Sequence, residues 1–80
     1  MASRVVPTSF GEFLTAAREQ GGWNRREIAK AAGISTQFVT YLESGERHPS
    51  PDTIERLITA MDLPPRRAAR LRQLGALHRH

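Results

Sequence analysis

The 80-residue chain contains no cysteine, which excludes a disulfide framework and any thiolate metal site and fits a reducing cytosol. It has no run approaching the roughly 18 consecutive apolar residues of a membrane span, and its opening residues, MASRVVPTSF, lack the apolar stretch of a signal peptide. Apolar and polar residues nowhere alternate long enough to mark a strand, so the fold expected is all-α. Aromatics are sparse, with one Trp, one Tyr and three Phe, enough for one small core. A chain of this length buries about 60 to 65% of its unfolded surface, too little to enclose a deep catalytic cleft. Nor is there a catalytic or metal-ligating constellation: His78 and His80 are two residues apart and point to different sides of a helix, and His48 is remote from both. A Ser-His-Asp set can be picked from the letters, but without a strand-turn-helix context. The expectations are therefore no enzymatic activity, no metal, no cofactor, no membrane, and a cytoplasmic protein.

Charge is unevenly placed. The net charge is +4, but residues 64–80 carry Arg66, Arg67, Arg70, Arg72 and Arg79 with no acid, while residues 1–63 hold seven basic and eight acidic residues. An excess of this sign suggests a polyanionic partner.

Five helices are legible from their start signals. The first is capped by Ser9 with Glu12 completing a capping box, and it presents Phe10, Phe13, Leu14 and Ala17 as one apolar stripe before stopping at Gly21 and Gly22. Residues 1–8 are expected to form a flexible arm. The second helix, near 25–32, opens after Asn24 with Glu27 three residues on, and the third, near 36–44, opens after Ser35 and stops at Gly45. Trp23 with Ile28, and Ile34 with Val39, stand at hydrophobic-staple positions. A fourth helix starts at Ser50 with Pro51 in its first turn and buries Ile54, Leu57, Ile58 and Met61. The pair Pro64 and Pro65 opens a fifth, in which Ala68, Leu71, Leu74 and Leu77 alternate with arginines.

The second and third helices are two short elements separated by a turn at Gly33, where a positive φ is required and a Cβ would cost stability. Ala29, one turn earlier, is small enough for two helices to cross at roughly 90 to 120°. This is the layout of a helix-turn-helix. The residues that carry it, Ile28, Ala29, Gly33, Ile34, Val39 and Leu42, resemble the motif of the phage repressor and Cro type, the XRE family, and the resemblance covers roughly residues 9–63. Glu43, Ser44 and Gly45, followed by a basic loop and Pro49-Ser50-Pro51, are similar to the family as well. Arg25 departs from it, since members often carry glutamine there. The resemblance implies a compact five-helix, lambda-repressor-like fold, with the helix-turn-helix DNA-binding domain over 9–63 and 64–80 as a basic C-terminal helix and tail, part of the same domain.

The third helix is then expected in the major groove, where the outward side chains near its start, Thr36, Gln37, Thr40 and Tyr41, are placed for base contacts. Gln37 can form two hydrogen bonds with an adenine, Thr36 can set its methyl against thymine, and Tyr41 offers a hydroxyl or a ring face. The alternative is a solvated polar face. Asn24 and Arg25 at the start of the second helix, and Arg47 and His48 in the loop after the third, are expected to meet phosphates, which fix register without reading sequence. Arg26 and Lys30 are expected to face solvent, and Phe38 to pack on the core. The resemblance further implies a structural ion pair between Arg18 and Glu43.

These readings point to a sequence-specific regulator of transcription, of repressor type, binding double-stranded DNA as a homodimer on an inverted repeat in a bacterial or phage cytoplasm, at the nucleoid. Leu71, Leu74 and Leu77 are the candidate dimer surface, with simple capping of the core as the alternative for that helix. A different function class stays open: an antitoxin or accessory interaction module whose basic C-terminal helix binds a protein partner. The region from Leu63 onward is also similar to the linker of actinobacterial family members that continue into a ligand-sensing domain.

Overall fold

Each helix start that the sequence marks with a capping residue is found at that residue. The computed structural model describes residues 9–77, so the arm expected over residues 1–8, and the terminal His78, Arg79 and His80, lie outside the described residues. The elements are α1 (Phe10–Gln20), α2 (Arg25–Ala32), α3 (Thr36–Ser44), α4 (Pro51–Met61) and α5 (Pro65–Ala76), with no strand among the described residues.

The caps explain why the helices begin where they do. Ser9 Oγ accepts from the Glu12 N–H at 3.1 Å, and Ser50 Oγ accepts from the Thr53 N–H at 3.1 Å. Asn24 and Glu27 form a reciprocal box, with Asn24 Oδ1 accepting from the Glu27 N–H at 2.8 Å and Glu27 Oε1 accepting from the Asn24 N–H at 2.9 Å. Each such cap satisfies helix-end donors that otherwise face water alone and contributes on the order of 1 kcal/mol. Helix α5 has no side-chain cap; its start is set by Pro64 and Pro65. At the other ends, Gly33 stops α2 in the left-handed region at φ 73°, as the turn requires, and Asp62 stops α4 at φ 50°.

The core is one cluster to which all five helices contribute. Phe10, Phe13, Leu14 and Ala17 of α1 are all buried, as are Ile28, Ala29 and Ala32 of α2, Val39 and Leu42 of α3, and Ile54, Leu57, Ile58 and Met61 of α4. Fully burying one Leu or Ile removes enough apolar surface from water to contribute roughly 1.5 to 3 kcal/mol, so these stripes decide how the helices dock. Helix α1 packs on α3 and α5, α2 packs on α3 and α4, and α4 packs on α5. Trp23 and Ile34, each just before a cap, and Phe38 are half-buried against the same cluster.

One expectation is corrected here. Leu71 and Leu74 are 0% and 1% exposed, in the core beside Ala68, and are not available as a dimer surface. Only Leu77 of the three is exposed, at 61%. The helical repeat explains the split: three-residue steps drift about 60° each around a helix of 3.6 residues per turn, so a stripe centred on Leu71 has rotated toward solvent by Leu77.

Candidate nucleic-acid interface

Helix α3 sorts its residues by face. Val39 and Leu42 point into the core, whereas Thr36, Gln37 and Thr40 are exposed and Tyr41 is half-buried at the edge. Ser35 caps the helix through its Oγ, which accepts from the Phe38 N–H at 3.0 Å. The cap fixes the direction of the first turn, so the three exposed side chains leave the surface together. Two of the outward groups are partly engaged: Thr40 Oγ1 donates to the Thr36 carbonyl at 3.3 Å, and Gln37 Nε2 donates to Tyr41 Oη at 2.8 Å.

On one side of this face stand Asn24 and Arg25, both exposed. Since the Asn24 carbonyl oxygen is taken up by capping, its NH2 is the group left to meet an anion. Arg25 Nε donates to Glu43 Oε1 at 2.8 Å while its side chain stays 49% exposed, so the guanidinium is anchored at one nitrogen and open to water elsewhere. On the other side, Arg47 and His48 are exposed in the loop that follows α3. The Arg47 guanidinium lies 5.5 Å from the centre of the Tyr41 ring, and the main-chain N–H of Arg47 donates to the Tyr41 carbonyl at 3.2 Å. A cation over a ring face is attracted by the ring quadrupole, which holds the loop against α3. Arg26 and Lys30 are exposed on α2.

Beneath the face, Glu43 joins three helices. Arg18 Nε of α1 donates to Glu43 Oε2 at 2.7 Å, Arg25 of α2 takes the other oxygen, and Arg18 Nη1 reaches the Trp23 carbonyl at 3.0 Å. The Arg18–Glu43 pair implied by the resemblance is present, and the Glu43 side chain is only 4% exposed. The third member, Arg25, was not foreseen, because the sequence offers no periodic signal for a contact 18 residues apart. The Gln37–Tyr41 bond was also missed, though its i,i+4 spacing on a helix is a usable signal.

Elsewhere there is little that suggests chemistry. No group of three or more His, Cys, Asp or Glu able to hold a metal ion occurs among the described residues. An open groove of about 460 Å³ runs between α2 and α4, lined by Lys30, Gly33, Glu55, Arg56 and Thr59 among others. Among the described residues no helix is long and apolar enough to cross a membrane.

A capped helix with an exposed polar first turn, braced across a glycine turn by a second short helix, defines the class of helix-turn-helix DNA-binding domains. Residues 9–71 match the helix-turn-helix domain family, and the chain belongs to it, as a member of the phage repressor and Cro type. Over 63 residues it is 36% identical to an uncharacterized HTH-type transcriptional regulator of Mycobacterium bovis, a match covering 79% of this chain and 25% of that protein. It is 37% identical over 57 residues to the HTH-type transcriptional repressor RghR of Bacillus subtilis, covering 70% of this chain and 42% of that one. The chain therefore spans between a quarter and a half of the length of these relatives. Among solved structures, the restriction-modification controller protein C.AhdI from Aeromonas hydrophila superposes with a TM-score of 0.69 at 32% identity, covering 74% of this chain and 89% of that one.

Proposed function

We propose that the chain is a sequence-specific DNA-binding regulator of transcription, without enzymatic activity, that inserts α3 in the major groove. The observation that carries this reading is the outward N-terminal half of α3: Thr36, Gln37 and Thr40 are exposed together while Val39 and Leu42 anchor the helix from behind. Had that edge been covered by the core, no groove contact would be possible. Gln37 has the groups to recognise an adenine by two hydrogen bonds, Thr36 supplies a methyl for thymine, Thr40 stands beside them, and Tyr41 borders the set through its bond to Gln37. Asn24 and Arg25 on one side, and Arg47 and His48 on the other, meet phosphates and fix the register.

The protein acts as a repressor-type homodimer in the cytoplasm, at the nucleoid, on two half-sites about 34 Å apart. The names of the relatives support regulation of transcription, and that of RghR supports repression. The dimer rests on half-site geometry. Of the apolar side chains on α5 and its C-cap, Leu77 alone is large and exposed.

The test is selection of bound DNA from a randomised double-stranded library, with the mass of protein in the complex measured alongside. An inverted repeat bound by two copies is expected. The Gln37→Ala variant should lose about 1 to 3 kcal/mol of discrimination at one base pair of each half-site. An unchanged preference at every position would mean that α3 is not the reader.

A further inference from the structure

The groups that line the outward face of α3 are linked to one another. Gln37 Nε2 donates to Tyr41 Oη at 2.8 Å across one helical turn. The Tyr41 carbonyl accepts from Ser44 Oγ at 3.1 Å and from the Arg47 N–H at 3.2 Å, and the Arg47 guanidinium sits 5.5 Å from the ring centre. Tyr41 is thus held by the loop on one side and holds Gln37 on the other. It is half-buried, whereas Gln37 and Arg47 are exposed.

We propose that Tyr41 is a positioning residue for base recognition: its hydroxyl fixes the carboxamide of Gln37 before DNA arrives. This rests on the reading of α3 as the helix that enters the groove. Recognition of an adenine by a glutamine needs the side-chain oxygen to accept from the N6 amino group and one amide hydrogen to reach N7. The amide nitrogen of Gln37 carries two hydrogens, so the bond to Tyr41 uses one and leaves the other, with Oε1, for the base. An exposed glutamine without such an anchor samples many rotamers, and all but one must be given up on binding. The anchor removes that cost in the free protein. It also narrows the angles at which the amide can meet a base, and so sharpens the preference.

Tyr41 is well suited to this task. Its ring is fixed beneath Arg47, a proposed phosphate contact, so the base reader and the phosphate clamp are joined through one side chain. Docking of the loop on the DNA backbone then carries the orientation of Gln37 with it.

The experiment compares the parent with Tyr41→Phe, Gln37→Ala and the double variant in selections from a randomised double-stranded library. Phenylalanine keeps the ring and the contact with Arg47 and deletes only the hydroxyl, and a thermal melt equal to the parent's verifies that the fold is retained. Tyr41→Phe is expected to lower the preference about two- to tenfold at the base pair that Gln37→Ala also affects, with other positions and the salt dependence unchanged. In the Gln37→Ala background the same change is expected to have no further effect, which is the mark of two residues acting as one unit. A Tyr41→Phe effect at a different base pair, or one that adds in full to Gln37→Ala, overturns the proposal, because the phenol then reads a base by itself. If Gln37→Ala alters the preference and Tyr41→Phe does not, the positioning role falls and the reading of α3 stands. Should Gln37→Ala alter nothing, both fall.

Discussion

Gly11 of α1 lies against the main-chain carbonyl of Glu43 at the end of α3, so the two helices meet backbone to backbone. A Cβ placed on Gly11 would overlap the Glu43 oxygen and stand 2.7 Å from the Leu42 oxygen. No flexible side chain is there to yield. The approach brings α1 close enough for Arg18, two turns on, to reach the Glu43 carboxylate.

Substituting Gly11 by alanine sets two effects against each other. Alanine gains up to about 1 kcal/mol over glycine through helix propensity, the full value applying to a helix interior and Gly11 lying in the first turn of α1. Forcing a methyl into rigid backbone costs about 1 to 3 kcal/mol, and displacing α1 also strains the Arg18 bond. Gly11→Ala should therefore lower the melting temperature despite the better helix former, by several degrees. A melt at or above the parent's would show that α1 slides without cost.

The buried carboxylate of Glu43 makes a second prediction. Glu43→Ala leaves Arg18, whose side chain is 10% exposed, with the Trp23 carbonyl and a 4.0 Å approach to the exposed Glu19 as its remaining partners. Breaking a buried pair from one side costs about 3 to 5 kcal/mol, since the charge left behind has lost its water. Arg25→Ala removes a half-exposed partner from the same carboxylate, which costs roughly 0.2 to 1 kcal/mol. Urea denaturation should separate the two variants widely. Similar small losses would mean that the carboxylate does not anchor the three helices.

The helices were legible because each carries local signals: a cap, a stop and an apolar stripe. Ser9, Asn24, Ser35 and Ser50 all cap through the atoms expected, and Gly33 has the positive φ its turn requires. What the sequence hid are contacts set by how helices dock. The close approach at Gly11 looks, in the letters, like an ordinary weak point in a helix. The reading of Leu71 and Leu74 as surplus apolar surface failed because the capacity of the core depends on where α5 crosses α4 and α1. At the interface, the outward set on α3 followed from helical periodicity, but the bonds from Gln37 to Tyr41 and from Arg25 to Glu43 depend on rotamers that no periodicity specifies.

A pH dependence follows from the contact between α4 and α5. Arg72 Nε and Nη2 donate to Glu55 Oε2 and Oε1 at 2.6 and 2.8 Å. These hydrogen bonds, opposed by desolvation and aided by the charge of Arg72, hold the Glu55 carboxyl below its ordinary 4.5. A carboxyl depressed in the folded state contributes its stabilisation in full above the unfolded value, and loses it as pH falls through the folded one. Glu55→Gln should therefore melt slightly below the parent at pH 7, with the gap closing as pH drops below 4.5. A gap that stays constant over that range would show that ionisation of the pair contributes nothing.

The loop after α3 yields the last prediction, one that separates charge from sequence reading. If Arg47 neutralises a phosphate, it displaces condensed counterions, and each such contact adds about 0.9 to the slope of log affinity against log salt. Arg47→Ala should weaken binding to every sequence by a similar factor and reduce that slope by about one. Arg47→Lys restores the charge without the planar group that faces the Tyr41 ring, so it should recover the slope while leaving a weaker preference at the base pair assigned to Gln37. A slope unaltered by Arg47→Ala would mean that the guanidinium serves only to fasten the loop to Tyr41, and that the phosphate contacts lie on the Asn24 and Arg25 side of the groove.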